Sequence, residues 1–211
     1  MKMNNRIKET VNFYVLCNKL KDTIRTGHKI WNIKRDRVES VAEHIYGTQM
    51  LAIAIYYQFN YDLDLKKILY MLAIHELEEI VIGDLTYFQI SSEDKEKEGM
   101  KACEDILKDM LGKDEILALV SEFNKKETKE ARFAYHCDKL ECDFQIKLYD
   151  QEGCFDLNDQ RNNPIINDPQ VKEILERTGC LSGAWVEYDK SKYNDDPIFL
   201  AIANYLKDNN I

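Results

Sequence analysis

The chain has 211 residues and a formal net charge of −9; 45% of its residues are hydrophobic and 32% charged. That length can bury a sizeable core, and the balance belongs to a soluble globular protein rather than a disordered one. With 29 Lys+Arg against 38 Asp+Glu and no basic block, nucleic acid is not expected as a partner. A small phosphorylated substrate needs only a local positive site and is not excluded.

The segment Met1–Arg6 leads directly into an amphipathic stretch with no apolar h-region, and no run reaches the roughly 18 apolar residues of a membrane span. A cytoplasmic protein without a membrane partner is expected. The six cysteines (Cys17, Cys103, Cys137, Cys142, Cys154, Cys180) lack C-x-x-C spacing and are expected as reduced, mostly buried thiols.

Only three prolines and eight glycines interrupt long periodic segments, so the prediction is all-α, one compact helical domain over 1–211. The first helix is predicted over 5–25, with Val11, Tyr14, Val15 and Ile24 among its apolar positions, stopping at Gly27. Ser40-Val41-Ala42-Glu43 has capping-box spacing and starts a helix that runs to Phe59, with His44 in its first turn. Asp62 or Asp64 caps the next, which is predicted to run unbroken to Ile82 and stop at Gly83. Further helices are predicted over 93–111, 114–124 and 127–151. Asp168-Pro169 and Asp196-Pro197 each place an N-cap before a first-turn proline and mark two C-terminal helices within 168–210. The stretch 179–195 between them is predicted to be less regular, with Trp185 and Tyr188 docking on the core.

One helix stands out. Met71-Leu72-Ala73-Ile74-His75-Glu76-Leu77-Glu78-Glu79-Ile80-Val81-Ile82-Gly83-Asp84 buries aliphatic residues yet carries a histidine and three glutamates. Buried carboxylates are normally paired or hold a metal. His75 and Glu76 point about 100° apart and can flank one ion; Glu79 lies one turn beyond His75 on the same face. Glu78 is expected on the solvated face. Asp138 lies on a small-residue stripe with Ala131, Ala134 and Cys142, and a cation held by His44 and His75 would supply its partner. Lys139 is expected to pair with solvent-facing acids. Histidines and carboxylates from three helices thus point to a divalent-metal site.

The order His44, His75-Glu76-x-x-Glu79, Gly83-Asp84, Asp138 resembles the HD-domain phosphohydrolase superfamily, and within it the 5′-deoxynucleotidase group. That group carries R-T-G-W, E-S-V-S-D-H and H-D-x-x-E-x-x-x-G-D. The matching stretches are Arg25-Thr26-Gly27-His28, Glu39-Ser40-Val41-Ala42-Glu43-His44 and His75 through Asp84, and the similarity spans about 10–150. Phosphodiesterase-like members tend to carry histidine, and alarmone hydrolases a Glu-Asp pair, where this chain has Glu79-Ile80. Two features depart from the group: Glu76 replaces the name-giving aspartate, and His28 replaces the tryptophan, with Trp31 three residues on.

The resemblance implies a single HD-like helical bundle in which His44, His75, Glu76 and Asp138 bind one divalent ion. Mixed histidine and carboxylate ligation suits Mn, Co, Fe, Ni or Zn. It further implies Glu79 and Asp84 as catalytic residues, and Arg25, with Arg35 and Arg37 as alternatives, as the phosphate contact. The expected activity is release of phosphate from a nucleotide, most specifically a 5′-deoxynucleotide, by an enzyme that forms a homodimer. The alternatives are a regulatory protein on this fold that binds metal and nucleotide without turnover, and a helical scaffold with a structural polar cluster.

Overall fold

The computed structural model describes residues 3–86 and 88–211. Helix α1 (Met3–Cys17) ends earlier than the sequence pattern predicts; a 3-10 turn, Asn18–Lys21, follows. Ile24 is not helical but pairs with Ser40 in an antiparallel bridge. Backbone bonds Arg25 N–H to Glu39 O (3.1 Å) and Val41 N–H to Thr23 O (2.8 Å) flank that bridge and tie the Arg-Thr-Gly segment to the start of the next long helix. No residue of α1 is buried, and Val11, Tyr14 and Val15 are each more than half exposed.

The short α2 (Thr26–Ile30) buries His28 and leads to buried Trp31. Helix α3 (Val41–Gln58) starts at the expected capping box: Glu43 N–H donates to Ser40 Oγ and Ser40 N–H to Glu43 Oε2. It buries Val41, His44, Thr48, Ala52 and Ile55 along one stripe. Asp64, not Asp62, caps α4 (Leu65–Ile74) through Lys67 N–H.

Here the sequence prediction needs correcting. The helix expected to reach Ile82 unbroken stops at Ile74, and α5 (Glu79–Ile82) follows as a separate turn. Between them Leu77, Glu79 and Ile80 donate to the carbonyls three residues back, which tightens the chain. The His75 imidazole takes the carbonyl of Leu72 (2.8 Å), removing an acceptor from the regular ladder. Gly83 then turns the chain away at φ +76°, a conformation that glycine adopts without strain.

Helices α6 (Ser92–Ile106) and α7 (Lys113–Lys125) form a flanking pair. The central element is α8 (Lys129–Gln151), capped by Thr128, with 13 of its 23 residues buried. It packs against α3 and α4 through a core that includes Ile68, Met71, Leu72, Phe133 and Leu140. The Asp-Pro starts of α9 (Pro169–Thr178) and α11 (Pro197–Asp208) form as expected, each aspartate accepting two backbone N–H bonds.

A second correction concerns 179–195. Leu181–Asp189 is a helix, α10, lying against α8, α9 and α11. Its first turn, Leu-Ser-Gly, carries no cap of its own. Asp150, at the end of α8, supplies one: Oδ2 accepts from Ser182 N–H (2.9 Å) and Oγ–H (2.6 Å). The fold is all-α: among the described residues the one extended pairing is the Ile24–Ser40 bridge, and no helix is long and apolar enough to cross a membrane. All six cysteines are free thiols, four of them buried.

Candidate metal centre and its cavity

His44 from α3, His75 and Glu76 from the turn after α4, and Asp138 from α8 converge. Their ligand atoms lie within 4.8 Å of one another, and all four residues are buried. His44 Nε2 stands 3.1 Å from Asp138 Oδ1 and 3.7 Å from Glu76 Oε1; His75 Nε2 stands 3.6 Å from Glu76 Oε1 and 3.9 Å from Asp138 Oδ1. The extra methylene of Glu76 does not remove its carboxylate from the cluster.

The other ring nitrogens are engaged. His75 Nδ1–H donates to Leu72 O, which leaves the lone pair on Nε2; that atom is buried and has no hydrogen-bond partner in the chain. Burial keeps the ring below its ordinary pKa, hence neutral, although Glu76 and Asp138 pull the other way. The Glu76 carboxylate is held below its usual range against its own desolvation by the Arg25 charge. Asp138 is also held well below the usual range, in spite of burial, by Lys139 and the His44 hydrogen bond. A neutral imidazole nitrogen with nothing to bond, facing two ionised carboxylates, fits a divalent cation.

His44 is fixed from behind. Its Nδ1 lies 2.5 Å from Glu141 Oε2, one turn beyond Asp138 on α8. Gly47, one turn after His44, makes room: a Cβ there would meet Glu141 Oε1 at 2.5 Å. Glu39, of the Glu-Ser-Val motif, lies nearby with its carboxyl pushed up to about 8, first by burial and next by the Glu141 charge. Outer carboxylates of this kind orient ligating histidines, so Glu141→Gln is expected to weaken metal affinity about 10- to 100-fold. A competition titration with a chromophoric chelator measures it; unchanged affinity would remove that role.

Glu76 of the cluster lines a cavity of about 420 Å³. Glu79 lines it, nearly fully buried, with Oε1 3.3 Å from Lys95 Nζ of α6. Burial, then the Glu76 and Asp84 charges, push its carboxyl well above the usual range. Lys95 also donates to Leu85 O (3.1 Å), which anchors the segment after Gly83. Asp84 Oδ2 accepts from Thr26 N–H (2.6 Å) and lies 3.9 Å from Arg25 Nε, joining two motifs far apart in sequence. Arg25, at the cavity wall, reaches Glu76 Oε1 (3.3 Å) and Cys142 Sγ (3.1 Å).

The three arginines predicted for phosphate thus separate. Arg25 lines the cavity, whereas Arg35 pairs with Glu152 (3.2 Å) and Arg37 pairs with Glu43 at the surface. Lys139 pairs with Asp138 itself (Nζ to Oδ2, 2.9 Å), not with solvent-facing acids. Glu78 is not on a solvated face: its side chain packs on Gly99 of α6, and burial pushes its carboxyl up to about 8. Lys95 and Glu141 had no motif to mark them and are visible only in three dimensions.

The family model described as "HD domain" matches residues 17–173. The chain belongs to the HD-domain phosphohydrolases. This HD-domain chain is 31% identical over 150 residues to 5′-deoxynucleotidase HDDC2 of Dictyostelium discoideum, covering 66% of this chain and 77% of that protein. Its fold is similar to that of a conserved hypothetical protein from Pyrococcus furiosus (TM-score 0.64, 25% identity, 93% of this chain and 98% of that one). A predicted metal-dependent phosphohydrolase from Magnetospirillum magnetotacticum shares the fold at TM-score 0.68 and 22% identity, over 97% of this HD-domain chain and 94% of that chain.

Proposed function

We propose that the chain is a phosphomonoesterase that releases phosphate from a nucleoside 5′-monophosphate, with a 5′-deoxynucleotide as its substrate. The observation that carries this is the cavity lining. Glu76, one of the four converging ligands, stands there with three basic side chains, Arg25, Lys95 and Lys139. A phosphomonoester fits that pairing, since its oxygens can face both. The name of the Dictyostelium relative supports the substrate class.

In this reading His44, His75, Glu76 and Asp138 hold one divalent ion, which when bound lowers the pKa of water towards neutrality and polarises a phosphoryl oxygen. Glu79, in the dry corner beside Lys95, positions the attacking water and relays its proton. Arg25 and Lys95 take the phosphate oxygens, the guanidinium fork matching their spacing. Asp84 keeps Arg25 and the Thr26 backbone in place, and is assigned to the sugar or to proton transfer. The reading includes a homodimer, supported by the apolar residues that α1 leaves exposed.

Elemental analysis of the purified protein, followed by phosphate release from a panel of 5′-deoxynucleotides and ribonucleotides with added Mn or Co, tests the proposal. Release that a chelator abolishes is expected. Bound metal without release from any nucleotide would leave a binding protein on the same fold and refute the esterase.

A further inference from the structure

We propose that Trp185 of α10 is the surface against which the flat ring of the substrate lies, so that the C-terminal helices select phosphomonoesters that carry an aromatic base. The inference rests on the phosphomonoesterase reading for its phosphate end. It concerns the apolar part of the cavity lining.

The cavity lining has two chemically distinct parts. Arg25, Glu76, Glu79 and Lys95 are charged, while Val171, Ile174, Leu181 and Ala184 from α9 and α10 make an apolar wall. A free phosphate or a bare sugar phosphate would leave that wall in contact with water alone. Burying a planar apolar ring there recovers its hydrophobic contribution.

Trp185 is placed to serve this wall. Its ring packs over Gly27, with Cη2 3.5 Å from where a Cβ would stand, and so abuts the segment that carries Arg25. Trp31 braces it edge-on, the ring centroids 6.4 Å apart and the planes inclined at 60°. The position next to Gly27 holds a histidine, His28, which is buried edge-on against Tyr149 at 5.1 Å. An indole from the C-terminal helix therefore stands where the Arg-Thr-Gly segment brings none of its own.

Further along the same helical face, Asp189 and Lys192 reach the cavity as an ion pair (2.6 Å). They offer an acceptor and a donor to the edge of a base whose face lies on Trp185. All of α10 lies beyond residues 17–173, the span that matches the family model.

Phosphate release by the metal-loaded protein from deoxyadenosine 5′-monophosphate and from 2-deoxyribose 5-phosphate, which lacks the base, separates the two parts. Base–aromatic stacking predicts that Trp185→Leu raises KM for the nucleotide about 10- to 100-fold, with kcat and turnover of the base-free ester unchanged. Trp185→Phe, which keeps a ring, is expected to restore most of the loss. Equal losses on both compounds would make Trp185 a packing residue, and no loss on either would remove it from the site; each result overturns the proposal. If the wild-type protein releases phosphate from neither compound, the esterase reading falls. The wall is then judged by calorimetric titration with the nucleotide, where weaker binding by Trp185→Leu supports it and equal or absent binding overturns it.

Discussion

Replacing Glu79 by Ala is expected to lower phosphate release about 10²- to 10⁴-fold while the purified protein keeps its metal. The separation of the two effects follows from the geometry. Glu79 is not among the four residues whose ligand atoms converge, yet it lines the same cavity and is almost fully buried. Desolvation and the neighbouring Glu76 and Asp84 charges hold its carboxyl well above the usual range, the direction that suits a proton carrier. Lys95 at 3.3 Å fixes its orientation. Alanine removes the proton carrier and leaves the ligand cluster in place. Stopped assays of phosphate paired with elemental analysis of the same sample decide the matter: full activity, or loss of the metal, would strip Glu79 of this role.

His75→Ala is expected to abolish both metal binding and turnover, and to do so with a thermal signature. A ligand that binds the folded state at a thousand times its Kd stabilises by about 4 kcal/mol. For a chain of this size that corresponds to ~8–16 °C in Tm. Chelation should therefore lower the Tm of the wild-type protein by about that amount. In His75→Ala the Tm should be the same with and without chelator, because the only unpartnered buried imidazole nitrogen of the cluster is gone. Differential scanning fluorimetry with added Mn, Co or Zn reads the shift; an undiminished metal-dependent shift in the variant would show that the ion sits elsewhere.

Much of the secondary structure was legible because its signals are local. The Ser40–Glu43 capping box, the Asp-Pro helix starts at 168 and 196, and the glycine at 83 act within a turn of chain, so spacing alone reveals them. Where the sequence pattern misled, contacts that the hydrophobic periodicity does not record intervened. The stripe through Met71–Ile82 reads as one helix, but the His75 ring bonds Leu72 O and the chain tightens there. The weak pattern of Leu181–Asp189 reads as irregular, but Asp150 caps it from another helix. The apolar positions Val11, Tyr14 and Val15 of α1 stay more than half exposed, while Phe13 packs on the core.

The candidate site divides along the same line. By itself the sequence determined which residue types are available: two histidines in apolar helices, the acids at 76, 79, 84 and 138, and an arginine two residues before a glycine. Those identities suffice to suggest a cation and a phosphate, because burying such groups without partners is costly. Only the tertiary structure decided which of them meet. It brought Arg25 to the cavity and left Arg35 and Arg37 at the surface. It added Glu141 behind His44, Lys95 beside Glu79, and an apolar part of the cavity lining from α9 and α10. These contacts join residues up to more than a hundred positions apart, and no periodicity along the chain encodes the packing of α8 against α3 and α10 that makes them.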